Sequence, residues 1–426
     1  MAEAYALLVF LIVYTLIAVR RVKDITISAW IPMLIGALLM LMFQTISMED
    51  AYKAIKADVI TFLIGMFIVV AALERSRALN VIIIGILKHV NNTKKLLLFI
   101  IVILGTLSAF LMNDTIALVA TPIILNIARF GIESKPLLIA LAFAVTIGST
   151  MTPIGNPQNL LIAIESGMKA PMLDFLKYLT LPTIANYIAT YYLLRWYYRD
   201  TFSKDITFNI DALKVTYEPN TIKVNIIIVS LVIIGFFVVT IARVIGFELM
   251  FDISHIAIIG GLIMLICSKD RLAVLKQVNW GIIILFISMF IFMDALAKAG
   301  IIAMFADMLS PLQFVDNNKT SISTILSIIS ASTLLSQFMS NVPFVAFYIN
   351  IMYEHGFSNE DIKAWITLAG ASTLAGNMTI LGAASNLIIL EAARREGFTF
   401  IEFFKIGSMV TAINMLILVT FLIIIP

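Results

Sequence analysis

Charged side chains are scarce in this sequence: Asp, Glu, Lys and Arg supply 13% of its 426 residues, about half the ~25% of a soluble domain. With 61% hydrophobic residues, that scarcity argues against a water-exposed surface of ordinary size. Cysteine is nearly absent, and the single Cys267 forms no intrachain disulfide. The three histidines, His89, His255 and His355, lie far apart and offer no metal-ligand spacing. Net charge is only +3 and the basic residues form no stripe, so nucleic acid is not an expected partner. No Gly-x-x-x-x-Gly-Lys-Ser/Thr loop occurs, which removes ATP as the expected energy source. Period-2 alternation is missing from the apolar runs, which removes a membrane β-barrel.

Long apolar runs are what the chain does have, among them Ala4–Val19, Ile60–Leu73 and Ile226–Ile241. Crossing a hydrocarbon core takes about 20 residues of helix, and lipid leaves a spanning backbone no partners but its own. The expected fold class is therefore an all-α membrane protein, multi-pass, in the cell membrane. Tyr5–Val19 lacks a basic leader and a small-residue cleavage site, so it reads as a first span rather than a signal peptide.

The chain also aligns with itself. Phe62-Leu63-Ile64-Gly65-Met66-Phe67 resembles Leu285-Phe286-Ile287-Ser288-Met289-Phe290, and Phe110–Asp114 resembles Phe338–Val342. Met151-Thr152-Pro153-Ile154-Gly155 through Asn159 resembles Met378-Thr379-Ile380-Leu381-Gly382 through Asn386, and the offset stays between 223 and 228 residues. This predicts two repeats, 1–198 and 222–426, joined by a polar cytoplasmic linker at 199–221. The first would span near 3–20, 27–45, 59–75, 136–167 and 175–198, with a re-entrant hairpin over Lys95–Phe130 whose arms are about 15 residues each. The second would span near 222–246, 252–267, 281–298, 360–393 and 402–425, with a hairpin over Thr320–Glu354. The fourth span of each is a broken helix, interrupted at Thr152–Pro157 and at Leu381–Ala384.

Five crossings per repeat is an odd number, so the second repeat enters the membrane inverted. Basic residues provide a separate handle on orientation, because Lys and Arg accumulate on the cytoplasmic side. Lys53, Lys56, Lys169, Lys177, Arg243, Lys298, Lys319 and Lys363 fall on one face of this layout, and the remaining 21 of 29 fall on the other. The larger group includes Arg20, Arg21, Arg129, Arg394 and Arg395. Both termini are thus expected outside the cell.

Irregular backbone at membrane depth is tolerated only beside protein or a water-filled cavity. Two hairpin tips and two helix breaks give four such places in matched pairs, and paired breaks are where transporters bind solutes and coupling ions. A plainer reading is open for each: Asn113, Asp114, Ser340 and Asn341 as N-caps, Pro153 and Pro157 as kinks. The recurrence of the same break in both halves favours the functional reading. Of the other acids within apolar segments, Asp58 reads as interfacial and Asp294 as lying near the outer end of its span.

Asn113-Asp114 followed by Thr121-Pro122, and then Thr152-Pro153-Ile154-Gly155-Asn156-Pro157-Gln158-Asn159, resemble the ion transporter superfamily. That superfamily includes the arsenite permeases and the divalent-anion:sodium symporters. The resemblance covers nearly the whole chain and implies a secondary transporter working by alternating access, not an enzyme. It implies substrate contacts at Asn113, Asp114, Asn156, Asn341, Thr379 and Ala383. Sodium sites are implied at Ser108, Asn113 and Gly155 and, in the second repeat, at Ser336, Asn341 and Gly382. The symporters carry Ser-Asn-Thr at each tip, whereas Met112-Asn113-Asp114 and Ser340-Asn341-Val342 stand here. The Asn-Asp tip is closer to the arsenite permeases. The expected cargo is a small anion, a carboxylate or an inorganic oxyanion, coupled to Na+ or H+. Arsenite or antimonite efflux, Na+/H+ antiport and an ion channel stand as alternatives. Apart from sodium no cofactor is expected, and the resemblance implies a homodimer.

Overall fold

Helix starts in this chain are set by short polar side chains placed just ahead of apolar runs. Ser47, Asn92, Asp270, Asn279, Ser321 and Thr399 each accept a hydrogen bond from a backbone N–H of the following turn, satisfying donors that a helix leaves free at its N-terminus. In the computed structural model of the chain, all residues are described except 1, 20, 23–24, 27, 204–217, 248–250, 314–318, 320 and 426. Arg20, Thr320 and most of the expected linker therefore lie outside the described residues.

The first half contains α1 (Ala2–Val19), α2 (Trp30–Met42), α3 (Met48–Ala54), α4 (Ala57–Arg75), α5 (Ala78–Leu87), α6 (Thr93–Leu98), α7 (Gly105–Leu111), α8 (Asn113–Ala128), α9 (Ser134–Ser149), α10 (Pro157–Glu165) and α11 (Pro171–Tyr197). A π-helical turn, Phe99–Leu104, fuses α6 and α7 into one rod. After the short α12 (Arg199–Phe202) come α13 (Pro219–Val244), α14 (Ile253–Cys267), α15 (Arg271–Gln277), α16 (Trp280–Lys298), α17 (Ile301–Gln313), α18 (Ile322–Met339), α19 (Asn341–Glu354), α20 (Ile362–Ala375), α21 (Ala384–Ala393) and α22 (Phe400–Ile424). A two-residue antiparallel pairing, Arg21–Val22 with Ile25–Thr26, follows α1.

The two series run in the same order. The α1–α5 set is matched by α13–α17, the α6–α7 rod by α18, and α8–α11 by α19–α22. Packing is exchanged between halves in the same sense: α2 lies on α16 and α14 on α4, while α8 lies on α21 and α19 on α10. Small residues permit the tightest crossings. A side chain at Gly65 would overlap the Ala257 backbone between α4 and α14, and one at Gly148 would overlap the Gly105 carbonyl between α9 and α7.

The exterior carries long apolar rows, and polar side chains are buried within a largely apolar interior. Ile227, Leu231, Ile234, Val238 and Ile241 form an exposed row along α13, at the spacing of one helix face. Asparagines 113, 156, 159, 186, 341, 377, 386 and 414 are all buried. Among the described residues, six helices are long and apolar enough to cross a membrane: Ala57–Arg75, Thr93–Leu111, Pro219–Val244, Trp280–Lys298, Ile322–Met339 and Phe400–Ile424.

Two expectations are revised. The first arm of the first hairpin is a rod of 19 residues, longer than the 15 expected, because the Asn92 cap starts it earlier. Conversely α2 has 13 residues where a span over 27–45 was expected. Its C-terminus is closed by a turn in which Thr45 N donates to Met40 O (3.0 Å) and Gln44 takes a φ of 54°.

Candidate functional site

The break between α9 and α10 is built around two asparagines. Asn156 caps α10, its Oδ1 accepting from Asn159 N at 2.8 Å, with Pro157 in the first turn where no N–H is needed. Asn159 folds back, and its Nδ2 lies 3.1, 3.4 and 3.2 Å from the carbonyls of Ser149, Thr150 and Thr152. These are carbonyls that the end of α9 leaves without a helical partner. In the second half Asn386 does the same, donating to Gly376 O (2.8 Å) and Thr379 O (3.2 Å). The residues correspond one for one at an offset of 227. Asn159 Oδ1 in turn accepts from Thr373 Oγ1 of α20 at 2.9 Å, joining the two halves.

The hairpin tips carry a second matched feature. Met112 (φ 66°, ψ 136°) and Ser340 (φ 65°, ψ 151°) both hold a positive φ, a conformation costing a non-glycine residue about 1–3 kcal/mol. Each leaves its helix in one residue and starts the next at an asparagine. Asn113 N donates to Gly155 O at 2.9 Å, tying the first tip to the first break, and Ser340 N donates to Ser336 O at 3.0 Å. Neither α8 nor α19 has a side-chain cap, so the tip residues are not spent on plain capping. Asn113 Oδ1 accepts from its neighbour Asp114 N (2.9 Å).

Tips and breaks meet at one cavity of about 580 Å³. Asn113, Gln158, Asn341 and Ala383 line it and are buried. Asp114 and Val342 stand beside the two asparagines, and the lining residues Ser28, Asn279, Trp280 and Glu391 are exposed at the mouth. The N-termini of α8, α10, α19 and α21 all reach this cavity. Each contributes a partial charge of about +0.5, so the four together supply about +2. Against them stand two carboxylates, Asp114 and Glu391, and among the described lining residues none is Lys, Arg or His.

Of the residues singled out in the sequence, Asn113, Asp114, Asn341 and Ala383 share the cavity. Asn341 Oδ1 is buried without a hydrogen-bond partner. Asn156 and Thr379 do not line it. The Asn156 amide is engaged with Ser149 and with Thr373 Oγ1 (3.2 Å), and Thr379 Oγ1 donates to Gln337 Oε1 (2.8 Å). Ser108 lies behind the first tip with its hydroxyl on Gly105 O (2.6 Å) and Val145 O (2.8 Å). Ser336 Oγ accepts from Gln337 Nε2 (3.2 Å). Gly155 and Gly382 sit where a side chain would overlap Ser149 and crowd Gly376. Asp58 is exposed at the start of α4, and Asp294 pairs with Lys298 at 3.1 Å.

A family model described as citrate transporter (CitMHS) matches residues 12–360. The chain belongs to the citrate transporter family. Within reach of this family member's sequence, a 46 kDa membrane protein of Mycobacterium leprae is 29% identical over 96% of this chain and 95% of its own. The silicon efflux transporter LSI3 of rice is 26% identical over 85% and 84%. The fold resembles that of the Alcanivorax borkumensis YdaH transporter, with a TM-score of 0.53 at 12% identity, covering 99% of this chain and 97% of that one. The chain is thus a transporter of a membrane protein family.

Sequence reasoning assigned no role to Asn159, Asn386, Gln158, Gln337 or Glu391. For the two asparagines the signal was present, since both close the matched stretches. For Glu391, Asn279 and the tryptophans at positions 30 and 280, no local pattern announces a cavity that only the packing of distant helices creates.

Proposed function

We propose that this family member is a secondary active transporter of a small oxyanion or carboxylate, driven by Na+ or H+ through alternating access of two inverted repeats. The cavity carries the reading: four helix N-termini converge on it with two carboxylates and, among the described residues, no basic side chain. With Asp114 and Glu391 both ionised, their charge of −2 offsets the roughly +2 of the helix ends, and an anion gains little by entering. Once a sodium ion or proton neutralises Asp114, the cavity turns net positive and helix N-termini can hold the anion. Coupling then follows from electrostatics, because neither charge is favourable alone. The side-chain amides of Asn113 and Asn341, through their N–H groups, supply orientation. An uncharged hydroxylated acid is the second reading, favoured by the missing basic group and by the rice relative named for silicon efflux.

Alternating access requires such a cavity to open at one face while the opposite face is closed. In this reading the closed face would be held by the ion pairs of Lys56 with Glu165 (3.4 Å) and of Lys298 with Asp50 (2.9 Å), together with the hydrogen bond that the Tyr353 hydroxyl donates to Glu165 O. The open mouth, at Ser28, Trp280 and Glu391, adjoins the segments richest in Lys and Arg, which supports a cytoplasmic opening. In this reading the two hairpins are re-entrant, from opposite sides.

The test is thermal unfolding of the purified protein with citrate, arsenite, silicate and phosphate, each in sodium and in choline buffer. A ligand that binds only the folded state raises stability by mass action. Stabilisation by one of these solutes that grows with sodium or with acidity is expected. A solute whose effect is the same in every buffer contradicts coupling.

A further inference from the structure

Gln337 stands one residue from Ser336 in the first arm of the second hairpin, and its amide is surrounded by oxygen. Its Nε2 lies 3.0 Å from Ala375 O, 3.2 Å from Thr333 O and 3.2 Å from Ser336 Oγ, while its Oε1 accepts from Thr379 Oγ1 at 2.8 Å. Ala375 closes α20 and Thr379 belongs to the break, so one side chain fastens the hairpin arm to both. Two N–H groups facing three acceptors is also what a small desolvated cation would satisfy. Ala375 O also accepts from Met378 N at 3.0 Å and Thr333 O lies inside α18, so it is the second lone pair of each carbonyl that a donor or a cation would take.

We infer that the Gln337 amide permanently fills the oxygen cage of the second repeat, where a coupling cation would otherwise sit, so that cation binding is confined to the first repeat. A tethered amide cannot dissociate during a transport cycle, whereas an ion can. The matched position in the first repeat is Ala109, whose methyl group offers no hydrogen-bond donor, and Thr152 there donates instead to the Ala109 carbonyl. A separate asymmetry points the same way: the first tip carries Asp114 and the second carries Val342. The negative charge that would hold a cation and the amide that would exclude one thus fall in opposite repeats. This inference rests on the cation-coupled reading above, and it assigns at most one coupling cation per chain.

Two measurements test it. Equilibrium binding of radioactive sodium to the purified wild-type protein should give no more than one site per chain; two sites overturn the inference. Gln337→Ala uncovers the cage, and Gln337→Met keeps most of the volume but removes the donors. In choline buffer both should unfold at lower temperature than wild type. Sodium or lithium should restore Gln337→Ala by more than it raises wild type, with little effect on Gln337→Met. A sodium increment in Gln337→Ala no larger than in wild type overturns the inference. Wild type binding no sodium at all, with Gln337→Ala gaining a response, would instead count against sodium coupling while leaving the caged amide intact.

Discussion

Replacing Asn159 with alanine removes the brace of the first break. The side chain has two N–H groups shared among the carbonyls of Ser149, Thr150 and Thr152, and its Oδ1 receives the Thr373 hydroxyl. Leaving a buried polar group without its partner costs about 1–3 kcal/mol. Two lost N–H bonds and one stranded hydroxyl, partly relieved by water from the adjacent cavity, come to about 3–5 kcal/mol. Asn386→Ala removes two carbonyl bonds, and its Oδ1 has no partner to lose, so it should cost less, about 2–4 kcal/mol. Asn159→Asp keeps the acceptor for Thr373 but places a carboxylate against carbonyl oxygens, and it should destabilise at least as much as alanine. Denaturant titration of the purified protein in detergent, followed by tryptophan fluorescence, gives the ranking. If both alanine variants stay within about 1 kcal/mol of wild type, the brace is not what holds the breaks open and the reasoning fails.

The strained tips give a second prediction. Met112→Gly and Ser340→Gly should be neutral or stabilising by up to about 1–2 kcal/mol, whereas valine at either position should destabilise, as read by melting temperature. Gly148→Val should fail to fold or lose more than about 3 kcal/mol, since its side chain would overlap the Gly105 carbonyl; expression as a monodisperse peak would contradict the packing. Asp114→Asn keeps the shape of the tip and removes its charge, so ion-driven accumulation should vanish while exchange of solute across liposome membranes persists. A single cysteine at Arg129 in a Cys267→Ala background should resist an impermeant thiol reagent added outside intact cells, and labelling there would reverse the orientation.

The paired architecture was legible because its signals are local. A hairpin tip needs a residue that leaves and re-enters a helix at once, a break needs proline or glycine beside asparagine, and both recur at nearly constant offset. Asn113, Asp114, Asn341 and Ala383, singled out from the sequence alone, line one cavity. Asn156 and Thr379 carry the right chemistry but spend it inside the breaks, which depends on side-chain direction that spacing does not encode. Gln337 was invisible for the opposite reason: its counterpart is Ala109, so a mismatch between repeats looked like drift. Glu391 and Asn279 come to the mouth from separate helices, and only their packing makes them neighbours. Helix lengths were misjudged where the limit lay in a cap, as at Asn92, or in a left-handed turn, as at Gln44.

The central claim is that one solute site lies where the two repeats meet. Uptake of a radiolabelled solute, chosen by the thermal screen, into liposomes carrying wild type, Asn113→Ala or Asn341→Ala tests it most directly. Saturable uptake that follows an imposed sodium or proton gradient in wild type, and is lost in both folded variants, is the predicted result. Flux that rises linearly with concentration and ignores the gradient, or that persists in both variants, would contradict it.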